Sequence, residues 1–417
     1  MDKATRISVA LLGAALTMPG LLPRHAAADV VTDWNAKAGE LIVAAKLGTP
    51  PAIRAMAIVQ TAVDGAVSAI EQRPSLPGLG GEAARGASVD AAVAAANRAT
   101  LSKLIPAERA RIDAAYQAAI GRIADGPAKA AGVAVGERAA EAALAMRAED
   151  GSVAPEARRP LTTAGVYVPT AAVAVPQWPQ RKPWLLERAD QFRPAPPPGL
   201  DSEAWARDFN EVKQIGARNS ARRRPEQTEI ARFWEYSLPP IYDGVVRSVA
   251  DQPGRTPARN ARLFAAAAQA MDDAMISVFD AKYHYNFWRP VTAIRNGDID
   301  GNDATERDAT WAPLSAEPPH PEYPSAHAIL AGAVAAVLKA EVGGAVPILR
   351  TTSPTAGGAA RSWSSLDDFV REVGDARVYE GIHYRGSTEV GADMGRRIGE
   401  LAASKHFAGP DRSARTE

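Results

Sequence analysis

Residues 258–290 read ARNARLFAAAAQAMDDAMISVFDAKYHYNFWRP, and this stretch decides the class of fold. Leu263, Phe264, Ala267, Met271, Ala274, Met275 and Val278 recur at steps of three and four, which places them on one face of an α-helix. The spacing predicts a single helix from about Ala258 toward Trp288, stopped by Pro290. Elsewhere alanine is abundant, aromatics make up only 6% of the chain and alternating Val, Ile and Thr runs are scarce. That balance favours helix over sheet, and the expected class is all-α.

Working outward, a loop rich in Gly, Asp and Pro follows Pro290 and leads to Ser325. This serine is the expected N-cap of a second apolar helix, running to about Val342 before Gly343 and Gly344. A third helix is predicted from Ser365, where Ser365 and Asp368 form an S-x-x-D capping box, to about Glu380 before Gly381. Upstream, helical pattern covers Glu203 to Gly216 and Pro225 to Trp234, with Pro225 suited to a first turn. Between about Ala154 and Leu200, Pro160, Pro169, Pro176, Pro179, Pro183 and the run Pro194 to Pro198 exclude helix. Tyr167, Trp178, Trp184 and Phe192 in that stretch predict a connection packed onto the body. From Trp34 to Glu149, spacing such as Met56, Val59, Ala62, Val63 and Val67 predicts several packed helices, broken by a Gly/Pro patch from Pro74 to Gly81. The chain therefore divides into residues 1–28, an N-terminal bundle over 29–153, the proline-rich connection over 154–202 and a C-terminal domain over 203–417.

Lys plus Arg and Asp plus Glu number 48 each, so no general basic field draws this protein to nucleic acid or anionic lipid. Any anion site must be local. Cysteine is absent, which removes disulfides, thiolate catalysis and Cys-ligated metals. Lys3 and Arg6, the apolar stretch Ile7 to Met18 and Ala26-Ala27-Ala28 have the pattern of a cleaved export signal. A periplasmic or secreted protein is expected, with the mature chain beginning near Asp29 and no other segment long and apolar enough to span a bilayer.

The chemistry-bearing residues lie in the last third. Lys282 and Arg289 are seven apart on the predicted long helix, which puts them on nearly one face and within reach of one anion. A solvated pair at a helix end is the ordinary alternative. Bulky neighbours Tyr283, Tyr285, Phe287 and Trp288 take the cations partly out of water, where an unpaired charge is costly and an anion is expected. At Ser325 the amides of Ala326 and His327 lie at a helix start, where free N–H groups and the dipole favour an anion. His327 shares that turn, with a capping or surface role as its alternative. Arg377 offers a bidentate fork at the end of the third helix, and His383 follows it beyond Gly381; read alone, they are a helix-terminal arginine and a loop histidine. Four of the six histidines in the chain, His284, His320, His327 and His383, fall between residues 282 and 383.

Taken together, K-x6-R-P at Lys282–Pro290, P-S-A-H at Pro324–His327 and R-x5-H at Arg377–His383 resemble the three-part signature shared by vanadium haloperoxidases and type 2 phosphatidic acid phosphatases. The stretches 287–290 and 318–325 look more like the haloperoxidase branch. The resemblance continues upstream through residues 191–194 and 226–228, so it covers most of the mature chain. It implies two packed helical bundles and a vanadate cofactor whose equatorial oxygens are held by Lys282, Arg289 and Arg377, with Ser325 and the Ala326 amide assisting. It further implies that His383 is the metal ligand and His327 the general acid/base, with hydrogen peroxide and a halide as substrates. In the phosphatase branch phosphate occupies the same pocket, His383 is the nucleophile toward a phosphate ester and His327 protonates the leaving alcohol. A phosphate-binding protein without catalysis is a third reading. His320 stands where bromide-oxidising relatives carry histidine, which hints at bromide or iodide over chloride; a loop histidine without a catalytic task is its alternative. Two positions depart from the family pattern: Ala326 replaces the usual glycine and is expected to narrow the pocket, and Ser387 stands where an aspartate is common, so another group must orient His383. Asp298 to Asp303 look partly like a calcium loop but lack the terminal glutamate at proper spacing, and a polar turn is expected there.

Overall fold

The computed structural model describes residues 29–73, 75–79, 81–155 and 161–407. The expected export signal over 1–28, Pro74 of the Gly/Pro patch and Pro160 of the connection lie outside the described residues. The first half carries α1 (Val30–Ala44), α2 (Thr49–Ile70), α3 (Val89–Leu104), α4 (Arg109–Ile120) and α5 (Pro127–Ala145). The second carries α6 (Glu203–Ile215), α7 (Pro225–Trp234), α8 (Pro239–Ala250), α9 (Pro257–Tyr285), α10 (Pro290–Arg295), α11 (Ala326–Val342), α12 (Leu366–Tyr379) and α13 (Arg385–Phe407). A short antiparallel hairpin, β1 (Leu349–Ser353) with β2 (Ala359–Trp363), pairs Leu349 with Trp363 and Ser353 with Ala359. Among the described residues the regular elements are helices apart from this hairpin, which the sequence reading did not anticipate.

Helix α9 is the central post. Thr256 caps it by accepting from the Arg259 amide, Pro257 occupies its first turn, and it is buried on nearly every side, as a helix must be when apolar all round. One hydrophobic cluster runs from α1, α2, α3 and α5 across α9 to α11 and α13. Helix α2 is long and apolar enough to cross a membrane, contrary to the expectation that no segment past the N-terminus would be, yet most of its apolar window is buried inside the protein. Its mates are α3, α5 and α9.

Two local features place the site. First, α9 does not run on to Trp288: Asn286 takes a left-handed conformation with φ 51° and closes the helix. The following turn is pinned to the proline-rich connection, since the Tyr167 amide donates to Asn286 O and the Trp288 amide to Gly165 O. Lys282 and Arg289 therefore do not share a helix face as expected. Arg289 is instead the extended N-cap residue of α10, and Pro290 starts a helix where it was expected only to end one. Secondly, α13 lies so close to α11 that a methyl group on Gly395 would stand 2.0 Å from Ile329 O. Only glycine permits this approach, which brings the first turn of α13 against the start of α11, where the Ser325 amide donates to Ser387 O at 3.1 Å.

The proline-rich connection is tied to the body by buried polar contacts. Arg181 pairs with Asp272 at 2.6 Å and Asp150 at 2.8 Å, fully buried, while Asp273 accepts from the Trp184, Leu185 and Leu186 amides. In the Asp298–Asp303 turn, Asp300 accepts from Trp205 Nε1, the Asn302 amide and Thr305 Oγ1, a hydrogen-bonded polar turn.

Candidate active site

Ser325 caps α11 by accepting from the Ala328 amide. Among the described residues, the first-turn amides of Ala326 and His327 have no protein acceptor, so two donors of a 17-residue helix point free at its positive end. Ala326 is accommodated without left-handed backbone because it is the first helical residue of α11. Its methyl group lines a cavity of about 390 Å³ shared with His320, His327, Arg377, Glu380 and His383.

Arg377 sits in the last turn of α12, where its Nη1 donates to Trp234 O at 2.7 Å and to Glu380, while its Nε is buried with no partner among the described residues. His327 Nε2 is likewise buried and unpartnered. Both atoms are polar groups waiting for a ligand, since burial without a hydrogen bond costs about 1–3 kcal/mol each.

Lys282 and Arg289 lie behind the cavity wall. Lys282 Nζ donates to Pro321 O at 3.0 Å and Glu322 O at 2.7 Å, which leaves one of its three protons free. Burial, together with Arg289, pushes its ammonium well below the usual range. Arg289 donates from Nε to His320 O and from Nη1 to Ile382 O and His383 Nε2, and its Nη2 lies beside His320 Nδ1. The contact with His383 is long, at 3.3 Å.

That contact assigns the His383 proton. A guanidinium only donates, so Nε2 is the acceptor, and Nδ1–H donates to Glu322 Oε1 at 2.7 Å. The same oxygen accepts from the Tyr384 amide at 3.1 Å. Glu322 is thus the group that orients His383 in place of the missing aspartate, and Ser387 lies beside the same carboxylate. Burial pushes Glu322 up to about 7, against the pull of Lys282 and Arg289. Burial likewise raises Glu317 to about 8 beside Arg289 and Glu380 to about 7 beside Arg377. Lys282 and His383 share Glu322 as a carboxyl neighbour, Arg289 has Glu317 and Arg377 has Glu380. His320, His327 and His383 are all held well below the usual imidazole range, first by burial and then by the surrounding cations. They are neutral imidazoles near pH 7. His320 Nδ1 is 2.9 Å from Arg289 Nη2 and 3.1 Å from Pro321 O, so it serves one of these partners at a time.

With this geometry in view, residues 262–409 match the VCPO second helical-bundle domain. The vanadium chloroperoxidase of Curvularia inaequalis is 29% identical over 194 residues, which is 38% of this chain and 31% of that protein, so the match spans about a third of the curated relative. The solved structure of the first bacterial vanadium-dependent iodoperoxidase superposes with a TM-score of 0.77 at 25% identity, covering 92% of this chain and 98% of the other. The C-terminal part of the chain is thus similar to the vanadium haloperoxidases in sequence, and the chain is similar to them in fold. A holo-type bacterial vanadium-dependent chloroperoxidase shares the fold at a TM-score of 0.67 and 18% identity, covering 87% of this chain and 94% of its own.

All eight residues singled out from the sequence gather in one neighbourhood. Ala326, His320, His327, Arg377 and His383 face the cavity, Ser325 caps the helix beneath it, and Lys282 and Arg289 brace it from behind. The sequence reading missed the carboxylates Glu317, Glu322 and Glu380. For Glu322 a signal existed: Ser387 at the aspartate position called for a substitute acid. It also missed the far wall, which comes from Gly48–Pro51 and Ala174–Val175 of the first half.

Proposed function

We propose that this protein is a vanadate-dependent haloperoxidase that oxidises iodide or bromide with hydrogen peroxide. The observation that carries the proposal is the His383 arrangement: Nδ1 is tied to Glu322, and the Nε2 lone pair faces the cationic cradle with only a long contact from Arg289. A histidine fixed in this way by a carboxylate is prepared to ligate through its other nitrogen. The cradle fits a tetrahedral oxyanion on grounds independent of the relatives, because Arg377 Nε, the Ala326 and His327 amides and one Lys282 proton are donors without protein acceptors. His383 would hold vanadate through Nε2, and Lys282, Arg289, Arg377 and the α11 start would hold its oxygens; phosphate would take the same place.

When bound, vanadate supplies the Lewis acidity that makes peroxide electrophilic towards halide. His327 does the proton work. Its imidazole is neutral, its Nε2 is unpartnered at the cavity, and the Trp234 backbone beside Arg377 steadies the ring. It takes a proton from incoming hydrogen peroxide and returns it to the oxygen that leaves as water. The preference for iodide or bromide rests on His320 at the cavity wall and on the iodoperoxidase neighbour. The test is to assay one purified sample for iodide and bromide oxidation and for p-nitrophenyl phosphate hydrolysis, with and without added vanadate. Halide oxidation that appears only with vanadate supports the proposal. Phosphatase turnover without halide oxidation assigns the cradle to phosphate ester chemistry, and anion binding without either activity assigns it to binding alone.

A further inference from the structure

The side chains that line the cavity differ in how they meet an oxidant. The chain has no cysteine, and neither Trp nor Tyr lines the cavity among the described residues. One thioether does. Met275 borders the same cavity as His320, His327, Arg377 and His383, and thioether sulfur, next to thiol sulfur, is a readily oxidised group in proteins.

Met275 sits on α9 one turn before Phe279 and two turns before Lys282, positions that share a helix face. It is about 10 Å from Lys282 along the helix axis, at about 1.5 Å per residue. With 2% of its surface exposed, Met275 is nearly closed to bulk solvent while it borders the space where the cradle works. The other methionines among the described residues provide the contrast. Met271, one turn earlier on the same helix, is buried and does not line the cavity, nor do buried Met56 and Met394, and Met146 is 43% exposed on the surface. An oxidant made in the cavity and the same oxidant added from outside therefore meet different sulfur atoms first.

We propose that Met275 is a self-oxidation site, the first lasting target of hypohalous acid formed at the cradle, and that its conversion to the sulfoxide limits how long the protein sustains halide oxidation. The proposal rests on the haloperoxidase reading. Halide, hydrogen peroxide and one proton give hypohalous acid and water. The Met275 sulfur attacks the halogen, the O–X bond breaks and hydroxide leaves. Water then forms the S–O bond as the S–X bond breaks, which releases halide and two protons, one of them neutralising the hydroxide. Sulfur loses two electrons and the halogen gains them. The imidazoles on the same wall are weaker traps, since an N–X bond passes its halogen on to a thioether and leaves no lasting oxidation. A sulfoxide is polar and chiral where the thioether was apolar and flexible. Its oxygen enters an apolar stretch of α9, the helix that carries Lys282, so the cradle is disturbed from within.

The test follows the site of oxidation and the rate together. The full chain loaded with vanadate is given hydrogen peroxide with bromide or with iodide, halide oxidation is recorded, and peptides are mapped by mass spectrometry for added oxygen. Two parallel samples receive peroxide without halide, and hypobromous acid added to the phosphate-loaded protein without peroxide. The expected result is oxygen on Met275 ahead of Met146 and Met271 by about tenfold during turnover, little on Met275 without halide, and Met146 first with added reagent. Met275→Leu, a volume-conserving exchange, should start at a rate within about twofold of the wild type and keep its activity through more turnovers. Halide oxidation with Met275 unmodified, oxidation of Met275 that is equal without halide, or a leucine variant that fades as fast as the wild type overturns the proposal while the haloperoxidase reading stands. No halide oxidation by the vanadate-loaded protein removes that reading and this proposal with it.

Discussion

Replacing Glu322 probes the group that takes over from the missing aspartate. In Glu322→Ala, His383 Nδ1–H and the Tyr384 amide lose their acceptor inside the protein. At about 1–3 kcal/mol for each unmet buried donor, that variant loses roughly 2–6 kcal/mol of stability, and misfolding confounds it. Glu322→Gln retains the volume and one oxygen, so the fold survives while the charge-assisted bond to the imidazole becomes a neutral one of about half the strength. Vanadate affinity should fall by about 10- to 100-fold, the usual effect of removing a carboxylate that orients a metal-ligating histidine. Phosphate affinity should hold or rise, because a negative charge has left a pocket of three cations. Placing an acid at the family position, Ser387→Asp in the Glu322→Gln background, should restore part of the vanadate affinity. Histidine nitrogen NMR on the vanadate-free protein provides the independent readout, with His383 protonated on Nδ1 in the wild type and mixed between tautomers in Glu322→Gln. A wild-type His383 protonated on Nε2, or a Gln variant unchanged in both tautomer and vanadate affinity, would refute the assignment.

Other consequences are equally direct. Asp243 is buried on α8 and its carboxyl is pushed up from 3.8 to about 7, chiefly by burial, with Arg247 and Asn35 opposing. A raised acid contributes stability below its unfolded value and loses it as pH rises through the folded one, so the wild type should weaken between pH 4 and 7. Asp243→Asn should flatten that slope by an amount on the order of 4 kcal/mol across the window, read from urea midpoints; parallel slopes for the two proteins would contradict it. Gly395→Ala forces a methyl group to 2.0 Å from Ile329 O and should cost about 1–3 kcal/mol or more in thermal or denaturant melts; a variant as stable as the wild type would show that α11 and α13 part without penalty. His383→Ala should lose much of the vanadate affinity. His327→Ala should keep more of it, yet oxidise halide about 10²- to 10⁴-fold more slowly at saturating vanadate. Full activity in His327→Ala would remove it from the mechanism.

How far the sequence could be read follows from the range of each interaction. Helix starts at Ser325 and Ser365 were legible because a cap is a contact between neighbours three residues apart. The end of α9 was not. Asn286 takes its left-handed turn where Tyr167 and Gly165, more than a hundred positions upstream, bind the flanking backbone. The hairpin was missed because its strands are five residues long: β1 alternates in burial but carries a single apolar residue, Leu349, and β2 is largely exposed. Among the cradle residues, the cations and histidines were legible as a set of rare types at fixed spacing. Glu322 was not, since its partner His383 lies 61 residues away and a single glutamate between prolines carries no period. The cavity wall from Gly48–Pro51 and Ala174–Val175 depends wholly on tertiary packing, and no local pattern marks it.

The central claim is that His383 Nε2 and the surrounding cations hold vanadate in this cavity. A crystal structure of the protein soaked with vanadate, with vanadium located by its anomalous signal, tests it most directly. The account predicts vanadium at bonding distance from His383 Nε2, with Arg289 Nη1 shifted from that nitrogen to an oxygen of the anion and Glu322 still on Nδ1. Vanadium bound elsewhere, or an oxyanion in the cavity with His383 Nε2 still on Arg289, would contradict it.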